Sequence, residues 1–135
     1  MKRYNLLIAD RNPHIRNFLK REMQADGYNV QLAKNGREVL SLIYSPMPID
    51  LLIIDLDLPG ANELNLLKCL EDRIPVLPFV IHSDLFDYLE STSHISKAAF
   101  VPKHGSSSET LKDVVLNLLK ESCIKKYKTP EDWKK

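Results

Sequence analysis

The segment IDLLIID, residues 49–55, decides the fold of this 135-residue chain. Leu51 to Ile54 form an apolar run without polar alternation, and such a run predicts a strand that is buried on both faces. Strands of that kind lie in the middle of parallel sheets that are covered by helices on both sides. The run ends on Asp55, which we therefore expect at the carboxyl edge of the sheet.

The rest of the chain alternates short strand-like runs with longer stretches of helical periodicity. Five strands are predicted, at residues 4–9, 28–32, 49–55, 79–82 and 98–101. Five helices are predicted after them, with apolar positions at Ile15, Phe18, Leu19 and Met23, at Val39, Leu40 and Ile43, at Leu64, Leu67 and Leu70, within residues 84–91, and at Leu111, Val114, Val115 and Leu118. This alternation predicts an α/β fold, a doubly wound five-stranded parallel sheet with five helices.

Local signals mark where several helices begin. Asn12 followed by Pro13 suits a helix start, because the asparagine caps free N–H groups and the proline has no N–H to leave unpaired. Asn35-Gly36 is a turn signal before the second helix, and Ser106 with Glu109 forms a capping box before the last. These signals place a loop between the end of each of these strands and the helix that follows it.

Composition excludes several classes of protein. With 44% hydrophobic and 27% charged residues the chain is typical of globular domains, and a net charge of +1 does not favour nucleic-acid binding. Cys69 and Cys123 match no disulfide or metal spacing, and no apolar run approaches the roughly 20 residues that span a bilayer. We predict a cytoplasmic protein without membrane partners, with one domain at residues 1–122 and a charged tail or linker start at residues 123–135.

Polar residues suited to phosphoryl chemistry fall at or just beyond the predicted strand ends. They are Asp10, Asp55, Asp57, Ser83 and Lys103. Doubly wound sheets bind ligands beyond the carboxyl ends of their strands, so we expect these residues to converge. Carboxylates hold hard cations such as Mg²⁺, a lysine and a hydroxyl contact phosphoryl oxygens, and an aspartate can itself be the nucleophile.

The chain resembles the receiver domains of response regulators, the CheY-like family, from about residue 4 to residue 121. The resemblance is carried by LLIADRNPHIR (6–16), GYNVQLAKNGREVLSLI (27–43), DLLIIDLDLPGANELNLL (50–67), PFVIHSD (78–84) and KAAFVPKHGSSSETLK (97–112). It implies a flavodoxin-like strand order, 2-1-3-4-5, and a role in two-component signal transduction.

The resemblance also assigns roles by position. Asp55 is the implied phosphoacceptor, and Asp10, Asp55 and the backbone carbonyl of Asp57 are the implied Mg²⁺ ligands. Lys103 is the implied partner of the phosphoryl group, and Phe100 takes the aromatic switch position.

Two registers compete for the switch hydroxyl of the family. If Pro75 matched the family's proline, Val80 would take the hydroxyl position and Pro78 would lie inside an interior strand, where it removes a ladder hydrogen bond. If Pro78 matches, it opens the strand and Ser83 takes the position. We therefore assign Ser83, which leaves a slightly short segment before Lys103 and predicts a trimmed fourth helix.

Four residues depart from the family pattern. Receivers usually carry a second acid directly after the first, and here that residue is Arg11. Glu63 stands where a glycine is expected, Asp84 where a small residue is expected, and His104 where a proline is expected. Arg11 and Asp84 lie where the incoming group is expected, so we treat both as pocket residues that modulate metal binding and phosphoryl access.

Two alternatives are open for Arg11. Its side chain could point into solvent, or its guanidinium could enter the pocket and supply part of the cation's charge. Two unit charges about 4 Å apart interact with on the order of 4 kcal/mol at an effective dielectric constant near 20. A guanidinium that satisfies the pocket acids in this way would weaken Mg²⁺ binding. In the second case Asp57 would either pair with Arg11 or add an oxygen near the metal.

We expect a receiver that accepts a phosphoryl group on Asp55 from a histidine kinase or a phosphotransfer protein. It would have no enzymatic activity beyond its own phosphorylation and dephosphorylation. The signal would pass by protein contacts to a downstream partner or an output domain. The face formed by the fourth helix, the fifth strand and the last helix is a candidate homodimer contact.

Two alternatives belong to other classes of function. A degenerate receiver, fixed in one conformation by Arg11, would bind its partner without phosphorylation. The segment DLDLP (55–59) also fits the Asp-x-Asp core of haloacid-dehalogenase-like phosphatases, although that strand normally opens their domain and is third here.

Overall fold

The computed structural model of the protein describes residues 3–61, 65–73, 75–84, 98–103 and 108–127, with the backbone alone from residue 123 onward. Its elements are β1 (Asn5–Ala9), α1 (Pro13–Ala25), β2 (Asn29–Ala33), α2 (Gly36–Ile43), β3 (Leu51–Ile54), α3 (Leu66–Asp72), β4 (Phe79–Ser83), β5 (Ala98–Pro102) and α4 (Ser108–Tyr127). The strands form one parallel sheet in the order β2-β1-β3-β4-β5. The predicted doubly wound α/β fold and its strand order are therefore confirmed.

Burial on both faces of β3 explains its unbroken apolar sequence. Leu52 and Ile54 belong to one buried cluster, together with residues of α2 and α3, and Leu51 and Ile53 belong to another, with residues of α1 and α4. Successive side chains of a strand point to opposite faces, so each face of β3 needs its own apolar pair. This double burial fixes β3 in the centre of the sheet and Asp55 at its carboxyl edge.

The helix starts at α1 and α2 are held by asparagine side chains. The Asn12 Oδ1 accepts hydrogen bonds from the backbone N–H groups of His14 (2.8 Å) and Ile15 (3.4 Å), as the sequence predicts. Asn35 differs from its predicted turn, because its side chain accepts from the Glu38 N–H at 2.8 Å and α2 begins at Gly36. The sequence signal was the same for both, since asparagine favours turns and helix caps alike.

Other predicted bounds shift by a few residues. β2 lies one residue later than expected, β4 and β5 extend to Ser83 and Pro102, and α4 continues through Tyr127 into the predicted tail. The predicted fourth helix, apart from Asp84, lies outside the described residues, as does the capping-box position at residue 106. In the described part of the chain, no helix has the length and apolar character that a membrane span requires.

Candidate functional site

The carboxyl edge of the sheet brings together four polar residues from four strands. Asp10 and Asp55 directly follow β1 and β3, Ser83 is the last residue of β4, and Lys103 directly follows β5. Backbone hydrogen bonds keep these strand ends level: the Asp55 N–H donates to the Ala9 carbonyl at 2.9 Å, and the Lys103 N–H donates to the Ser83 carbonyl at 3.3 Å. The convergence predicted from the sequence is therefore present.

Lys103 joins the two buried carboxylates of the site. Asp10 and Asp55 are each only 2% exposed, and the Lys103 Nζ lies 3.0 Å from Asp10 Oδ2 and 3.1 Å from Asp55 Oδ2. The lysine side chain is itself only 12% exposed. Buried charges are costly unless they are paired, so one ammonium group stabilises both acids in this arrangement.

Loop amides orient the second oxygen of each acid. The Asn12 N–H donates to Asp10 Oδ1 at 2.9 Å, and the Asp57 N–H donates to Asp55 Oδ1 at 3.0 Å. In both cases the donor lies two residues after the acid, at the start of the loop that leaves the strand. Each carboxylate thus has one oxygen held by its own loop and the other directed to Lys103.

The Arg11 guanidinium lies at the mouth of this pocket. Its Nη2 is 2.8 Å from Asp57 Oδ2, and its Nε is 3.8 Å from Asp55 Oδ2. The arginine side chain is 56% exposed and that of Asp57 is 37% exposed, so the pair closes over the buried acids from the solvent side. Arg11 thus neither points away from the pocket nor becomes buried in it: its guanidinium lies over the mouth, where Asp57 pairs with it.

Arg16 is a contributor to the site that the sequence did not indicate. Its Nη1 donates to the backbone carbonyl of Asp10 at 2.7 Å and to that of Arg11 at 3.5 Å. Arg16 lies in the first turn of α1 and reaches back over the loop that connects β1 to the helix. No spacing rule predicts a hydrogen bond from a helix arginine to a loop carbonyl, so only the three-dimensional structure could reveal this contact.

Ser83 and Phe100, to which the resemblance assigns the switch role, lie on the neighbouring strands β4 and β5. Ser83 is 1% exposed and pairs with Pro102 at the end of β4, whereas Val80 lies in the strand interior. Phe100 is half-buried against the core cluster that contains α2 and α3, and Asp84 is exposed just past β4. The departures at residues 63 and 104 lie outside the described residues.

His82 lines a cavity beside Lys103. The cavity measures about 180 Å³ and is otherwise lined by Ile15, Phe18, Leu19, Ser108 and Leu111. The His82 Nδ1 is buried without a hydrogen-bond partner among the described residues. Burial, reinforced by the positive charge of Lys103, lowers the pKa of His82 from its ordinary value. The neutral form of the ring is therefore favoured over the protonated form.

The donor set of the pocket fits Mg²⁺. Among the described residues, no cluster of three or more His, Cys, Asp or Glu side chains has the arrangement of a metal site made of side chains alone. Two carboxylates, from Asp10 and Asp55, do lie together, and the implied third ligand is a backbone carbonyl. That set suits Mg²⁺, which usually takes one or two carboxylates and keeps several waters.

A family model describes the same part of the chain. The model of the response regulator receiver domain matches residues 6–115, from β1 into α4. The chain belongs to the response-regulator receiver family. This assignment decides against the haloacid-dehalogenase-like alternative.

Curated relatives of this receiver domain include much longer proteins. The DNA-binding transcriptional regulator NtrC of Salmonella typhimurium is 35% identical over 112 residues, which cover 73% of this chain and 24% of the relative. The response regulator MprA of Mycolicibacterium vanbaalenii is 29% identical over 108 residues, 78% of this chain and 46% of the relative. The receiver domain thus spans about a quarter of the length of NtrC.

Solved receiver structures have the same fold. The response regulator TrrA of Thermotoga maritima, in complex with Mg²⁺ and BeF, is 26% identical with a TM-score of 0.72, covering 85% of this chain and 98% of the other. A chemotaxis response regulator of Vibrio cholerae is 18% identical with a TM-score of 0.75, covering 87% and 99%. Like those of its relatives, this receiver domain is a module of two-component signalling.

Proposed function

We propose that Asp55 is the phosphoacceptor of this receiver domain, with Lys103 and Ser83 acting on the transferred group. The observation that carries the proposal is the contact of the Lys103 ammonium with both Asp55 and Asp10 at the end of a buried strand. An acid at this place is oriented, close to a cation and next to solvent through the mouth of the pocket. These are the properties that an aspartate nucleophile needs.

In the proposed transfer, a carboxylate oxygen of Asp55 attacks the phosphorus of the donor. The bond from phosphorus to the donor's nitrogen or oxygen breaks, and the donor leaves with that electron pair. Lys103, already 3.1 Å from Asp55 Oδ2, would pair with the negative charge of the transferred group, and the Ser83 hydroxyl would donate a hydrogen bond to a phosphoryl oxygen. A Mg²⁺ ion held by Asp10, Asp55 and the Asp57 carbonyl would neutralise charge on the phosphoryl oxygens.

The proposed partners follow from the family. A histidine kinase or a phosphotransfer protein would supply the phosphoryl group, and Phe100 with β5 and α4 would pass the change to an output domain or a separate protein. NtrC, a DNA-binding regulator, supports the first kind of output, since the matched region is only 24% of its length. A homodimer through the face of the predicted fourth helix, β5 and α4 remains a prediction from the sequence, as does a cytoplasmic location.

A second candidate function has its own observation. Arg11 pairs with Asp57 at 2.8 Å and approaches Asp55, so a cation already lies at the pocket mouth. A receiver held in this state would bind its partner without phosphorylation.

One experiment separates the two candidates. The protein is incubated with Mg²⁺ and acetyl phosphate, and its intact mass is followed with time. We expect one added phosphoryl group, absent from Asp55→Asn and present in the control Asp72→Asn, whose acid lies exposed on α3. A protein that stays unmodified under these conditions, and with phosphorylated kinase as donor, would support the phosphorylation-independent module.

A further inference from the structure

The oxygen of Asp55 that faces the pocket is approached by two cations of the chain itself. Asp55 Oδ1 accepts the Asp57 N–H, whereas Oδ2 lies 3.1 Å from Lys103 Nζ and 3.8 Å from Arg11 Nε. Lys103 approaches from β5 inside the pocket, and Arg11 approaches from the loop after β1 on the solvent side. The solvent side is also the one from which a hydrated ion must enter.

Asp57 holds Arg11 in that place. The 2.8 Å contact between Arg11 Nη2 and Asp57 Oδ2 connects the loop after β1 to the loop after β3, across the mouth of the pocket. Asp57 is also the residue whose backbone carbonyl is the proposed third metal ligand. A divalent cation at Asp10 and Asp55 would therefore lie next to a guanidinium group anchored two residues beyond Asp55.

We infer that Arg11 is a built-in counter-ion that competes with the divalent cation for the mouth of the acidic pocket. In this arrangement the metal binds only after the Arg11–Asp57 pair opens, because Lys103 and Arg11 already lie beside Asp55 Oδ2 and a divalent cation added there would be repelled by the guanidinium charge. The inference rests on the proposed function, since it takes this pocket to be the metal-binding phosphoryl site. It goes further by assigning Arg11 a competing role, distinct from the mere absence of an acid.

Those two effects of Arg11 are separable by substitution. Arg11→Ala removes the cation and adds no ligand, whereas Arg11→Asp removes the cation and supplies an acid. If weak metal binding came only from the missing acid, Arg11→Ala would bind Mg²⁺ no better than the wild type. Because the Arg11 side chain is 56% exposed, neither variant removes core packing.

The test is a calorimetric titration with Mg²⁺ in the absence of any phosphodonor. We expect Arg11→Ala to bind at least about tenfold more tightly than the wild type, and Arg11→Asp more tightly still. Arg21→Ala, which removes an exposed arginine from the middle of α1, is the matched control and should keep wild-type affinity. Circular dichroism of each variant verifies that the fold is retained.

Two outcomes would overturn the inference. One is equal or weaker binding by Arg11→Ala compared with the wild type, and the other is no detectable binding by any variant, Arg11→Asp included. Failure of the proposed function has a different readout, because the titration contains no phosphodonor and reports metal affinity alone, whereas the mass experiment, carried out at saturating Mg²⁺, reports phosphorylation of Asp55.

Discussion

Lys103 is the residue on which the buried charge of the pocket depends. Its ammonium group lies about equally far from two carboxylates that are almost completely buried. Replacing it would leave two acids next to each other in a region of low dielectric constant without a cation at bonding distance inside the pocket. Arg11, at 3.8 Å from Asp55 and more than half exposed, compensates only in part.

We expect Lys103→Met to lower the free energy of unfolding by about 3 kcal/mol, because removing one partner of a buried ion pair leaves the other uncompensated. Urea unfolding at pH 7 measures the change. The control is Lys68→Met, at an exposed pair with Asp72 on α3, for which a change below about 1 kcal/mol is expected. Equal losses for the two variants would contradict the role given to Lys103.

His82 makes the stability of the domain depend on pH. Its pKa is lowered from 6.5 in the folded state, so the unfolded chain binds the proton more readily as pH falls below 6.5. The charged groups that act on its ring are Lys103, Asp10, Asp55 and Asp84. Protonation therefore favours unfolding, and the contribution of His82 to stability is complete only above the ordinary pKa.

His82→Phe should weaken this dependence, since phenylalanine fills a similar volume and does not titrate. Urea midpoints measured from pH 8 to pH 5 are expected to fall less steeply for the variant than for the wild type. Parallel curves for the two proteins would mean that the buried ring does not resist protonation.

At the scale of single elements, α1 depends on its cap. The two hydrogen bonds accepted by Asn12 satisfy N–H groups that the first turn leaves free, and the same residue donates its own N–H to Asp10. The cap therefore fixes the helix start directly behind the pocket acid.

We expect Asn12→Ala to lower the free energy of unfolding by about 1 kcal/mol, the usual cost of losing an asparagine cap. Asn17→Ala, at an exposed position inside α1, is the matched control and should be neutral or slightly stabilising, because alanine is the better helix former there. Denaturant unfolding of the pair gives the comparison, and a loss in Asn17→Ala as large as in Asn12→Ala would argue against capping as the cause.

At the scale of the whole molecule, the predicted domain limit at residue 122 can be tested by truncation. The buried side chains that the structure describes in α4 are Leu111, Val115 and Leu119, and all of them precede that limit. A chain that ends at residue 122 should unfold cooperatively, with a free energy within about 1 kcal/mol of the full chain.

A chain that ends at residue 117 is the control for this truncation. It lacks Leu119, which is 2% exposed, and should lose at least about 2 kcal/mol. Similar stabilities for the two truncated chains would contradict the packing of α4 against the sheet. Thermal unfolding followed by circular dichroism compares all three lengths.

Much of the fold could be predicted from the sequence because its physical causes are local. The apolar run before Asp55 predicted the central strand, and the position of Pro78 at a strand start predicted that β4 would end near Ser83. Parallel strands place their carboxyl ends on one edge, so the convergence of Asp10, Asp55 and Lys103 followed from strand order.

What could not be predicted depends on side-chain directions across loops. The sequence left Arg11 open between solvent and pocket, since both directions are available to a long flexible side chain after a strand. The bonds from Arg16 to loop carbonyls had no sequence signal, and the cap at Asn35 could not be distinguished from a turn. In each case the deciding factor is a contact between segments rather than a periodic pattern.

The bond from Arg16 to the Asp10 carbonyl has a mechanical consequence. The Arg16 guanidinium on α1 bonds the chain at the point where β1 ends, so side-chain hydrogen bonds connect the helix to the loop that carries Asp10 and Arg11. We expect a shift of the first turn of α1 to move Asp10 and Arg11 together with it. A displacement of the first helix would thereby reach the mouth of the pocket through the end of β1.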